Sequence, residues 1–201
     1  MYMQSVHRME DREQVVGLMQ AYPFATLVSV VDGEPVASHL PILAEPGEPF
    51  VLMAHMAHAN SHWRAFRDGA RSLAIFAGPH GYVTPRWYVS RPNVPTWNYV
   101  AVHAHGCVEI IEDERLVLEH LRQMVDILDP TLATEQPESM DESYLAKLSR
   151  GVVVFKMTVE RLEGKAKLNQ NKTEEDRLAV RSRYLESSLA DEIAMASMMS
   201  D

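Results

Sequence analysis

The chain has 201 residues, 28 of them acidic and 19 basic, for a formal net charge of −9; that length supports one large domain or two small ones. At 46% hydrophobic and 23% charged the composition is that of a folded globular protein, and the acidic balance argues against broad nucleic-acid binding, which takes a surplus of Lys and Arg. A single cysteine, Cys107, excludes an internal disulfide framework or a multi-cysteine zinc site; no apolar run reaches the roughly 18 residues of a membrane span; and the polar start is no signal peptide, which makes the cytoplasm the expected address.

No repeat or flexible linker divides the sequence, so a single domain over 1–201 is expected, with a helical extension at its C-terminal end. In chain order, FATLVSVV (24–31) reads as a β-branched strand, Asp32-Gly33 as a tight turn and PVASHLPIL (35–43) as the returning hairpin partner. Pro41 has no N–H for a ladder and belongs at an edge or bulge. FVLMA (50–54), SLAIFA (72–77), NYVAVHAHGCVEII (98–111) and GVVVFKMTV (151–159) complete six strands, and their short connections favour an antiparallel barrel over βαβ winding. Asn60 fits the N-cap of a short helix that carries Trp63 and Phe66 and ends at Gly69. Leu118, Leu121, Val125 and Leu128 recur at helical spacing until Pro130. Ser139 with Glu142 fits a capping box for a helix carrying Tyr144, Leu145 and Leu148. A last helix is expected from Thr173 through Leu178, Tyr184, Leu185 and Leu189, and the tail AMASMMSD has no strong pattern.

Four segments concentrate polar chemistry. HMAHANSHWR (55–64) runs from a strand into a helix, where free backbone N–H groups and a positive dipole end can hold a phosphate. His58, Asn60, Ser61 and Arg64 add side-chain donors there; an N-capped helix with solvent-facing histidines is the plainer reading. His103 and His105 alternate with Ala104, so on a strand they share a face with Glu109. No third metal ligand is identified, and no metal is expected. The aromatic and proline-rich stretch 78–99 suits stacking against a planar ligand or a partner subunit, or simply covers the core. Residues 161–172 carry Arg161, Lys165, Lys167 and Lys172 against Glu163 alone, which is either an anion site or a solvated charged turn. Dinucleotide, nucleophile-elbow, zincin and CxxC motifs are missing, and Cys107 reads as a buried, inert thiol.

Five ordered blocks together carry a resemblance: ASHLPIL (37–43), HMAHANSHWR (55–64), IFAGPHGYVTPRWY (75–88), VPTWNYVAVHAHG (94–106) and EGKAKLNQNKTEEDR (163–177). With them the chain resembles the PaiB-type family of FMN-binding negative transcriptional regulators over nearly its whole length. The resemblance implies a mainly β, α+β fold, the six-stranded antiparallel FMN-binding split barrel, assembled as a homodimer with flavin at the interface. It implies that His39, Leu40 and Pro41 lie along the isoalloxazine ring, and that His55, Met56, Ala57, His58, Asn60 and Ser61, with Arg64 nearby, take the ribityl chain and phosphate. Lys165, Lys167 and Gln170 would close the site from the other subunit, and Trp97 and Asn98 would line it.

The chain departs from the family at His58, where an arginine is usual, and at Ser61, where a proline is usual; Asn169 replaces a common serine. The missing arginine removes a permanent bidentate phosphate donor, which His58 replaces only in its protonated form unless Arg64 or a lysine compensates. The family's regulatory label sits against the net charge of −9, which argues against direct DNA binding except through a doubled 161–172 patch. The alternative is a flavin-dependent oxidoreductase or flavin reductase using NAD(P)H, with His39, His80 and His103 as the candidate acid–base groups.

Overall fold

The structure, a computed structural model, describes residues 1–69 and 71–199. Its elements are β1 (Arg8–Met9), α1 (Arg12–Ala21), β2 (Phe24–Val31), β3 (Glu34–Glu45), β4 (Val51–Ala57), a 3₁₀ helix (Ser61–Asp68), β5 (Arg71–Val83), β6 (Thr96–Ile110), α2 (Glu114–Leu128), α3 (Leu132–Glu135), α4 (Glu142–Ser149), β7 (Val152–Lys167), α5 (Glu174–Leu185) and α6 (Ala190–Met198). The strands hydrogen-bond in the order β1-β7-β4-β3-β2-β5-β6, and β7 also pairs with β6. The class is the expected one, an antiparallel sheet with helices around it. All six expected strands are present; the seventh, β1, pairs Arg8 with Lys165 and Met9 with Gly164 and is too short to leave a pattern in sequence.

Local chemistry explains the boundaries. Asp32 and Gly33 both have positive φ, 52° and 85°, which matches the right-handed twist of the β2–β3 hairpin and sets its register from Val31↔Glu34 to Phe24↔Pro41. Asn60 caps the 3₁₀ helix by accepting from the His62 N–H, and Gly69 ends it in the left-handed region at φ 65°. Thr173 caps α5 by accepting from the Asp176 N–H. The α4 cap differs from expectation: Asp141 accepts from the Ser143 and Tyr144 N–H groups, while Ser139 lies in a preceding 3₁₀ turn, Pro137–Met140. β5 runs on to Val83, so part of the 78–99 stretch is strand rather than loop. Among the described residues β5 pairs with β2 from Leu73 to Ile75, and beyond that register Pro79 removes no hydrogen bond to β2. β7 likewise runs on to Lys167.

The contacts divide into two compact units, each assembled from separate chain segments. The first comprises Met1–Leu18, Phe76–His103 and the chain from Glu163 onward. Its core includes Leu18, Phe76, Val83, Tyr88, Val100, Val180, Tyr184, Met195 and Ala196. The tail that had no sequence pattern thus enters this core through Met195 and Ala196 of α6, while residues 200 and 201 lie outside the described ones. The second comprises Met19–Ile75 and Ala104–Leu162. Its core holds Leu27, Ile42, Leu52, Ala54, Phe66, Phe155 and Met157, with the Phe66 and Phe155 rings 4.9 Å apart. Among the described residues no helix is long and apolar enough to cross a membrane.

Candidate functional site

In the second unit, β3 and β4 part company. Their ladder runs from Glu45↔Val51 to Ile42↔Ala54 and stops there. The next pair in that register would be Pro41 with His55, and Pro41 has no N–H to continue it. β3 stays paired to β2 as far as Glu34, and β4 stays paired to β7 as far as Ala57↔Val152. Each strand therefore extends past the other with its facing edge released. Leu40 and Met56 point inward and are buried, so at those positions the cleft is bordered by backbone. His39 projects to the exposed face, its Nδ1 at 2.9 Å from the Thr26 hydroxyl and its ring stacked on Phe24.

The polar turn after β4 is held from beneath. His62 is 1% exposed. Its Nδ1 meets Ser38 Oγ at 2.8 Å and its Nε2 meets Ser29 Oγ at 2.9 Å. Ser29 Oγ in turn meets Ser72 Oγ at 2.6 Å, and Asn60 Nδ2 donates to Ser38 Oγ at 3.0 Å. One hydrogen-bonded chain thus ties the turn to β2, β3 and β5, and burial lowers the His62 pKa, favouring the neutral ring. The reading of 55–64 as carrying solvent-facing histidines fails at His62; its i,i+4 spacing to buried Phe66 was the signal for an inward face. His58, Ser61 and Arg64 are exposed, with His58 tilted against Trp63 and the Arg64 guanidinium 5.8 Å from the Trp63 ring centre. His55 is half-buried and its Nδ1 lies 3.2 Å from Nε2 of His120 on α2, a contact with no sequence motif behind it. Burial lowers both pKa values, that of His120 to about 4 with His55 adding to the effect.

The remaining candidates lie in the first unit. Lys165 is 6% exposed; its Nζ donates to the Tyr2 carbonyl at 3.0 Å and faces the rings of Tyr2 and Tyr99. Lys167 Nζ donates to the Trp97 carbonyl at 2.9 Å and to Thr96 Oγ1. Gln170 Oε1 accepts from the Leu168 N–H and meets His7 Nδ1. Trp97 is exposed beside His80 and Tyr82, whereas Asn98 is fully buried with its Nδ2 toward Met199. Neighbours on a strand face opposite ways, so Trp97 and Asn98 do not present their side chains to one surface.

One other expectation changes. Cys107 is half-buried rather than buried; its thiol donates to Glu160 at 3.3 Å, and that carboxylate raises its pKa, so the thiol stays protonated at neutral pH. Along the shared face of His103 and His105, Glu109 pairs with Lys156 at 3.1 Å.

The donor set suits a flavin mononucleotide. A planar ring needs released strand edges to hydrogen-bond its rim, and in the second unit the parted β3–β4 edges supply that chemistry. An antiparallel sheet parted in this way, with a buttressed polar turn at the opening, defines the class of flavin-binding split barrels. Residues 1–161 match the family described as "Putative FMN-binding domain", and the chain belongs to that family; FMN is accordingly its cofactor. It is 32% identical over 207 residues to Protease synthase and sporulation protein PAI 2 of Bacillus subtilis (strain 168), covering 100% of this chain and 97% of that one. Among solved structures it is similar to the flavocytochrome Anf3 from Azotobacter vinelandii (TM-score 0.67, 19% identity, 89% of this chain and 78% of that one). It is also similar to the FAD and heme binding protein from Mycobacterium smegmatis (TM-score 0.66, 19% identity, 86% and 79%). These two likenesses establish the fold.

Proposed function

We propose that the chain acts as a cytoplasmic homodimer that holds FMN in clefts at its interface and serves as a regulator of the PaiB type. The observation that carries the reading is the parting of β3 from β4 at Pro41, with the turn after β4 tied back to β3 by the His62–Ser38 hydrogen bond. His39, Leu40 and Pro41 border the isoalloxazine ring, the two outward side chains flanking the backbone of the inward one. His55, Met56, Ala57, His58, Asn60 and Ser61, with Arg64, border the ribityl chain toward its phosphate end. Lys165, Lys167 and Gln170, with Trp97 beside them, close the cleft of the other protomer; Asn98 supports them from inside its own unit. Bound FMN supplies a redox-active, visible-absorbing ring. With a net charge of −9, regulation runs through a ligand or protein partner rather than through direct duplex contact.

Sedimentation velocity with absorbance read in the flavin band tests the assembly. FMN is expected to travel with a dimer at micromolar protein. Flavin travelling with a monomer, at one FMN per chain, would remove the interface from the account.

A further inference from the structure

At the end where β3 and β4 stay paired, the second unit carries an open groove of about 1130 Å³ between α2 and the β3–β4 turn. α2 packs inward through His120 and Met124 and turns a different row to the groove: Arg115, Glu119, Arg122 and Asp126. Their steps of four, three and four residues keep them in line along one side of the helix. Among the described residues only Arg122 of the four is ion-paired, to Glu142 at 3.7 Å, and an exposed pair of that length holds weakly. Leu116 and Ile127, 38% and 53% exposed, border the groove beside the row.

The charges along the row read plus, minus, plus, minus. Turned end for end they read minus, plus, minus, plus, so the row is complementary to a reversed copy of itself. Arg115 and Asp126 are equidistant from the point between His120 and Leu121, and so are Glu119 and Arg122. A two-fold axis through that point sets Arg115 against Asp126 of the partner subunit and Glu119 against Arg122 of the partner subunit, each pair occurring twice. The opposite wall adds Glu45 and Lys156, which makes the charged lining three acidic and three basic side chains. Two copies of a chain with net charge −9 can meet on a balanced face without repulsion, whereas a nucleic acid or a strongly charged peptide would find half of that face unfavourable.

We propose that α2 is a self-association surface, on which a second copy of this chain lays its own α2 antiparallel about a two-fold axis. The 15 residues of α2 span about 22 Å, a short contact that gives a weak, salt-sensitive association. With the flavin-cleft dimer proposed above it builds a tetramer; without that dimer it builds a dimer, so the α2 contact does not depend on the flavin reading.

Sedimentation velocity of the full chain over about 1 to 100 µM compares wild type, E119R, R122E and an equimolar mixture of the two variants. Each single change sets like charges together at both symmetry-related places and is expected to weaken association by about tenfold or more. In the mixture an E119R chain meets an R122E chain, both central pairs again join opposite charges, and association is expected to return to within about threefold of wild type. Neither chain regains an opposite charge within its own helix, so recovery in the mixture cannot come from a repaired helix. Single variants that associate like wild type, a mixture that stays apart, or a wild type that is monomeric throughout overturns the proposal. A wild-type dimer that the single changes reduce to monomer and the mixture restores supports the α2 contact and removes the flavin cleft as the dimer interface. Circular dichroism monitors folding; should R122E unfold, R115E with D126R, at exposed positions, gives the same comparison.

Discussion

His62 gives one ring nitrogen to Ser29 and the other to Ser38, and no single substitution reproduces both contacts. His62→Phe fills the volume but leaves two buried hydroxyls short of a partner, at a cost of about 3 kcal/mol. Urea unfolding is expected to show that loss with an unchanged slope, and His62→Gln to recover part of it. A variant as stable as wild type would mean the chain of hydrogen bonds does not hold the turn. His120 makes a different prediction. With its pKa near 4 in the folded protein, against an ordinary 6.5, both folded and unfolded chains hold it neutral above pH 6.5 and stability is complete. Between pH 6.5 and 4 the unfolded chain takes the proton first, and stability falls by about 3 kcal/mol in all. His55 and His62, lowered by burial, act in the same direction. Unfolding midpoints at pH 7.5 and 5.0 are expected to drop less in His120→Leu than in wild type; equal drops would exclude His120 as a source. Sequence periodicity put Leu118, Leu121, Val125 and Leu128 on the inner face of α2. The fully buried residues are His120 and Met124, and Leu128 is exposed, because a histidine counted as polar shifts the apparent stripe by about one position.

At the scale of elements, β6 and β7 approach closely at Gly106. A Cβ there would lie 2.0 Å from the Thr158 carbonyl oxygen, and a backbone atom cannot give way as a flexible side chain does. Gly106→Ala is expected to cost about 3 kcal/mol or more, seen as a lowered thermal midpoint. A cost below about 1 kcal/mol would show that the two strands can separate freely at that crossing. Strands with a continuous β-branched or alternating pattern were legible in sequence, although β5 and β7 run on well past their expected ends to Val83 and Lys167, and so were the Asn60 and Thr173 caps, whose side chains bond their own helices. Elements whose stability comes from packing left weaker traces. β1 is two residues long, α1 carries Gly17 amid Val15, Val16, Leu18 and Met19, and α6 is held by the burial of Met195 and Ala196. Ser139 was a plausible cap by spacing, yet Asp141 stands nearer the helix start and its carboxylate accepts from two N–H groups.

For the molecule as a whole, acidic balance and local basicity have separate meanings. The net charge of −9 limits partners, while residues 161–172 carry a local basic excess against it. The parting of β3 from β4 was legible as far as Pro41, a residue that stops a ladder wherever it stands. The support under the turn was not legible, because it joins Ser29, Ser38, Asn60, His62 and Ser72 across long stretches of chain. The most direct check of the central claim is calorimetric titration of FMN into the purified chain at neutral pH. The account predicts a saturable heat with one FMN bound per chain. No saturable heat at FMN concentrations up to a millimolar would contradict it.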